Sequence, residues 1–341
     1  MPMISFNDYS FQGKEVLALR DQIEHGRLVH ALLITGEQGT GKRSLAMLLS
    51  AALMCTAGKN VPCGKCNGCR MAESGEHPDI TVIEKGVPLS SAVSRGRSTI
   101  PVDDIREMIR LSSHYAYEGG NRAVVIADAE NLTIQAQNCL LKILEEPPQN
   151  TYYFLTSAHP EQILITVRSR CRPIRLIPWD NDYIIRLLTD HGSDRNKAEK
   201  AAAASAGSIG KAFSLISDDE YWKMREEVMN AFFRTEKRSE VLKISNAWKD
   251  RKGEADSIFS ILEEQTGSLL RYRLHQCTES QISVFPAQWR QFAASAPLER
   301  FSVLSDRIIE ARRQNSFNVN FQAIIEQLLL SYIGESDLWI K

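Results

Sequence analysis

At 341 residues, 43% hydrophobic and 24% charged, the chain has the length for two or three domains and the composition of a globular protein, not a disordered or fibrous one. Its net charge of −1 argues against a globally basic nucleic-acid binder and leaves a local basic face as the route to phosphate backbones. No apolar run reaches the ~18–20 residues of a membrane span. The opening "MPMISFNDYSFQGKEVLALRDQ" also lacks the apolar core of a secretory signal, so a cytoplasmic protein with no membrane partner is expected.

Five short apolar runs predict strands: "HALLITG" (30–36), "DITVIEKG" (79–86), "RAVVIAD" (122–128), "YYFLTSA" (152–158) and "RPIRLIP" (172–178). Near-continuous apolar character is what a strand covered on both faces requires. Helical patterns separate them, notably "RSLAMLLSAALMC" (43–55) and "IQAQNCLLKILEE" (134–146). Strands alternating with helices predict a parallel, doubly covered α/β sheet. After Pro178 only helical patterns follow, broken at 190–194, 205–210 and 235–239. Ile258, Ile261, Leu262 and Leu269 recur at helical spacing, as do Phe321, Ile324, Ile325 and Leu328. The expected division is an α/β domain (1–178), a small helical domain (179–215) and a helical C-terminal domain (216–341). Segment 87–99, rich in Ser, Gly and Arg, reads as an exposed loop, and so does "HYAYEGG" (114–120). Trp222, Phe232 and Phe233 fit core positions.

Between the first strand and the next helix lies "GEQGTGKRS" (36–44). Gly36, Gly39 and Gly41 let backbone N–H groups turn toward phosphate oxygens, the helix N-terminus adds partial positive charge, and Lys42 reaches the terminal phosphates. The pattern then asks for Ser or Thr to hold Mg²⁺, and Arg43 stands there instead. Ser44 is one residue late, about 100° further round the helix. The departure bears on hydrolysis more than on binding, and ATP, ADP or an empty loop all remain compatible with it.

Seven cysteines are distributed unevenly: four crowd into residues 55–69, and Cys139, Cys171 and Cys277 stand alone. Cys55, Cys63, Cys66 and Cys69 form C-x7-C-x2-C-x2-C. Two-residue gaps let thiolates converge on one ion, and four sulfurs make a closed structural zinc site with no open position. An iron–sulfur cluster is the alternative, against which the usual proline after the last cysteine is missing, with Arg70 in its place. A phosphate loop with a four-cysteine module would also suit a zinc-containing nucleotide kinase, although the long helical C-terminus is not what such an enzyme needs.

The segment "NCLLKILEEPPQNTYYFLTSAHPEQILITVRSRC" (138–171) resembles the clamp-loader family of bacterial AAA+ proteins. "LLKILEEPP", ending at Pro148, and Ser169-Arg170-Cys171 carry the resemblance. The entry "FQGKEVLALRDQIEHGRLVHALLITG" (11–36) and the four-cysteine insertion extend it over most of residues 11–215. It implies an AAA+ domain with an inserted zinc module, a helical lid, and an all-α collar that joins motor (gamma/tau) and delta subunits. It further implies a sliding clamp and primed DNA as partners of the assembly, and "NVNFQAIIEQLLL" (318–330) is the most collar-like piece.

In the family's ATP-hydrolysing motors an acidic pair ends the third strand. Counted back from the shared anchor, that pair falls on Ala127 and Asp128, or with a one-residue slip on Asp128 and Ala129. The motor lid carries G-S-x-R, where "GSIGKA" puts Gly210, with Lys211 beside it. The Mg²⁺ hydroxyl, the acidic pair and the lid arginine are thus all altered, a combination that resembles the non-hydrolysing delta-prime type. The runner-up is a motor-type ATPase. In either type the arginine of Ser-Arg-Cys reaches a neighbour's ATP site, and Arg170 takes that role here by resemblance, with Cys171 a packed apolar residue. Arg95 and Arg97 could neutralise DNA phosphates, without a motif to single them out.

Overall fold

The computed structural model describes residues 5–87, 89, 98–112, 120–276, 282, 284–317 and 319–337. The 87–99 loop (apart from 87, 89, 98 and 99), residues 114–119 and Cys277 lie outside them. Two compact units divide the chain, Met1–Phe213 and Ser214–Lys341.

The first unit is built on β1 (Ala31–Thr35), β2 (Ile80–Ile83), β3 (Arg122–Ile126), β4 (Thr151–Ser157) and β5 (Arg172–Arg175), in the order β2-β3-β4-β1-β5. Every pairing is parallel; Leu33 faces Leu155 on one side and Pro173 on the other. The central strands β1 and β3 are apolar but for one end residue each and β4 is apolar over Tyr152–Leu155, because both faces are covered, and Leu32, Ile34, Val124, Val125, Phe154 and Leu155 are buried. The α/β sheet expected from the five apolar runs is the one observed, with β4 as long as its run but displaced by one residue and the other four strands shorter than theirs.

Helices of this unit are α1 (Lys14–Glu24), α2 (Lys42–Leu53), α3 (Asn67–Ser74), α4 (Val102–Ser112), α5 (Ile134–Glu145) and α6 (Ile165–Arg168). Three more follow the sheet: α7 (Asn181–Asp190), α8 (Arg195–Ser205) and α9 (Ile209–Leu215), which runs across the unit boundary. Local chemistry starts them. Thr133 Oγ1 accepts from Ala136 N at 3.2 Å, and Asp180 and Asp194 cap α7 and α8 the same way. Each cap satisfies helix N–H groups that have no intrahelical acceptor.

The second unit is helical among its described residues: α10 (Asp219–Val228), α11 (Arg238–Trp248), α12 (Ala255–Arg273), α13 (Ala287–Ser295), α14 (Leu298–Ser316) and α15 (Phe321–Asp337). All eight apolar positions read at helical spacing are buried. Phe232 and Phe233 are core as expected, stacked edge-on to Tyr332. Trp222 differs: it is half-buried, with Arg225 over its ring and its indole N–H donated to Leu215 O at 2.8 Å. A ring whose N–H must reach a carbonyl stays at the edge of a core.

Candidate functional site

The phosphate loop follows β1 and opens α2. Gly41, in the left-handed region (φ 87°), precedes the first helical residue, Lys42. Lys42 is buried, and its ammonium donates to Gly36 O at 2.9 Å and Glu37 O at 2.8 Å. Burial pushes its pKa down, opposed by the carboxylates of Asp128, Glu130 and Glu37. The loop is gripped from three further directions. Tyr9 donates to Gly41 O (2.9 Å), Trp179 Nε1 to Thr40 O (2.8 Å), and Gly210 N to Gly39 O (3.4 Å). A Cβ at Gly39 would fall 1.8 Å from Ser208 Oγ, so the turn before α9 rests directly on the loop. Gly210, in the lid-arginine position, is therefore beside the loop through its backbone and has no side chain to offer.

Arg43 points outward from α2 and pairs with Glu84 at the end of β2. Ser44 is half-buried one step further round. Ala127 is buried just past β3, its N–H given to Ile83 O, and Asp128 is exposed in the left-handed region (φ 51°) with its N–H on Thr156 Oγ1. Two participants escaped the sequence reading. Glu130 accepts from Ala158 N through Oε1, and its Oε2 is buried without a hydrogen-bond partner among the described residues. Ser208 belongs to "GSIG" and carried no signal of its own.

The four cysteines converge: the Sγ atoms of Cys55, Cys63, Cys66 and Cys69 all lie within 4.8 Å of one another. Cys63 and Cys69 sulfurs are 3.9 Å apart and Cys66 and Cys55 4.0 Å. A tetrahedron of 2.3 Å Zn–S bonds has edges of about 3.8 Å. Backbone N–H groups are already aimed at the sulfurs, Cys63 N at Cys55, Cys66 N at Cys63 and Cys69 N at Cys66, each at 3.4 Å. Against burial, N–H donors from Thr56 and Cys69 hold the Cys66 thiol down to about 6, while burial pushes Cys69 up to about 12. The donor set fits a closed structural metal site. Gly68 makes it possible, because a Cβ there would meet Met54 O at 2.3 Å where α3 crosses the end of α2.

Arg170 lies between α6 and β5, far from the loop. Arg172 pairs with Leu32, so Arg170 stands near the amino-terminal end of β1, and Gly36 follows its carboxyl end. Six residues of strand separate those levels, roughly 20 Å. A cavity of about 600 Å³ opens at that amino-terminal rim, lined among others by His30, Pro148, Tyr152, Ser169 and Arg170. The Arg170 side chain is one-third exposed (34%), and its guanidinium pairs with Glu145 at the end of α5. Cys171 beside it is buried, its thiol pushed up to about 12 by desolvation, as expected of a packed residue. Arg95 and Arg97 lie outside the described residues.

A parallel sheet with a glycine-and-lysine loop opening α2 defines a phosphate-loop α/β protein, here with a four-thiol module and a helical remainder. Residues 11–180 match the family model described as DNA polymerase III, delta subunit. DNA polymerase III subunit delta-prime of Escherichia coli is 38% identical over 208 residues, 60% of each chain. The Yersinia pestis delta-prime subunit is 31% identical over 70% of this chain and 69% of its own, and the Bacillus subtilis one 25% over 93% and 88%. The chain belongs to the delta-prime family of DNA polymerase III clamp-loader subunits.

Proposed function

We propose that this chain is a non-hydrolysing stator: a clamp-loader subunit that binds motor (gamma/tau) and delta subunits through its helical C-terminal part and completes a motor's ATP site with Arg170. The observation that carries it is Arg43. A guanidinium stands in the slot of the Mg²⁺-binding hydroxyl and is tied to Glu84, so the cation that neutralises developing phosphoryl charge has no ligand from α2. Ala127 supplies no carboxylate, Asp128 is exposed although its charge still acts on Lys42, and Gly210 brings no charge. Were a nucleotide to bind, the N–H groups of Gly39, Gly41 and Lys42 would cradle its phosphates, at the cost of releasing Lys42 from two carbonyls.

Arg170 supports the second half of the reading. It lies at the opposite end of β1 from this chain's own loop, on the rim that opens outward. An arginine finger offered in trans stabilises charge on the transferring phosphoryl group and is worth ~10³–10⁵ in rate. The three-part division at 178 and 215, with lid and collar, is part of this proposal, as are a sliding clamp and primed DNA as partners of the assembly and the cytoplasm as its place. The thiol cluster would hold zinc, which ties the segment after α2 into one unit when bound. Magnesium-dependent ATPase of the isolated chain tests the core claim. Turnover that is abolished by Lys42→Ala would favour the motor-type alternative and end the stator reading.

A further inference from the structure

Arg170 does not hang free. Its Nε donates to Glu145 Oε1 at 2.8 Å, Nη2 donates to the same oxygen, and Nη1 donates to Thr166 O at 2.8 Å. A guanidinium carries five N–H groups in a fixed planar fork. Three are therefore committed. The Nε and Nη2 edge lies against one carboxylate oxygen, and one N–H on each of Nη1 and Nη2 is left over. The anchors come from two directions. Glu145 is the last residue of α5, 25 residues earlier in the chain, and Thr166 lies in α6, one turn before Arg170. Both anchors are on regular helices, which fix a side chain more tightly than a loop would.

We infer that Glu145 is a positioning residue for the arginine finger, its carboxylate holding the side-on edge of Arg170 so that the remaining N–H pair is presented outward, ready for a phosphate. The inference rests on the finger role proposed above. An arginine loses more freedom on binding when it begins unrestrained, and a side chain already held in one rotamer has that entropy removed in advance. Glu145 is half-exposed (51%), so water screens its charge and the pair adds little stability. Its contribution lies in direction. Glu145 is also the first glutamate of "LEEPP", the stretch ending at Pro148, whose prolines end α5 and fix where its last carboxylate stands.

The test uses the complete reconstituted clamp-loading assembly with full-length variants of this chain, measuring clamp- and DNA-stimulated ATPase as kcat and KM. Glu145→Ala is expected to lower kcat about three- to tenfold, the scale of freezing one long side chain, with KM for ATP unchanged. Glu145→Gln keeps an acceptor oxygen and should return kcat to within about twofold of the parent. In an Arg170→Ala background, Glu145→Ala should add nothing, because a positioning residue has nothing left to position. The inference is overturned if Glu145→Ala raises kcat, if it leaves kcat unchanged while Arg170→Ala lowers it, or if its loss persists without Arg170. If Arg170→Ala itself has no effect, the finger reading has failed and Glu145 falls with it.

Discussion

Lys42 and Arg170 stand beyond opposite ends of β1, and the molecule treats the two cations in opposite ways. Lys42 is buried, with its ammonium spent on two carbonyls of its own loop, and Tyr9, Trp179 and Gly210 hold that loop shut from outside. Arg170 is one-third exposed at the edge of an open cavity, held by Glu145 and by Thr166 O with two of its N–H groups left over. An ammonium satisfied inside its own loop has little left for a ligand, whereas a guanidinium with two N–H groups unspent keeps donors available. The contrast is part of what the proposed stator reading rests on: a loop closed on itself at one end of β1 and an arginine with donors to spare at the other.

Four experiments would break or sharpen the contrast. The largest expected effect is at the rim: Arg170→Ala in the reconstituted assembly should lower stimulated ATPase on the order of 10³-fold, and an unchanged rate would refute the role in trans. Next is the thiol module. Metal analysis should find about one zinc per chain, and Cys69→Ala should abolish it and expose residues 55–75 to limited proteolysis. The local loss would be several kcal/mol, bounded by the ~10 kcal/mol of small zinc modules. A chain with no metal, or with iron, would correct the assignment.

At the loop, Gly39→Ala should destabilise by about 2 kcal/mol in chemical denaturation, since the new methyl meets Ser208. Ser208→Gly in the same chain should recover part of that, and no recovery would mean the turn before α9 does not bear on the loop. The smallest expected effect is none at all. The isolated chain with Mg²⁺ should show only background ATP turnover, and Lys42→Ala should not change it.

Features carried by neighbouring residues were legible in the sequence. The strands announced themselves as continuous apolar runs because both faces of this sheet are covered, and the cysteines did so because metal-ligand spacing is local. The glycine-and-lysine loop was equally plain. The partners that decide what each site does were not. Arg43 meets Glu84 across 41 residues and Arg170 meets Glu145 across 25. Ser208 reaches Gly39 only because the fold sets the turn before α9 against the loop. Glu130 stands two residues past the slot where an acidic pair was sought, and no local pattern marks its buried oxygen. Trp222 misled for the same reason: helical spacing gives a face, and whether an indole N–H needs an acceptor at the rim depends on what lies opposite.

One consequence follows from α2. Its twelve residues span about 18 Å, with Lys42 at the head and Cys55 two residues beyond the foot. Gly68 lies against the carbonyl of Met54 at that foot, so an ion held by the four thiols would act as a mechanical anchor for the rod. Clamping the foot limits how far the head can tilt or unwind. The metal would then serve as a hinge pin set one helix length from the phosphate loop, and its loss would loosen a place it never touches.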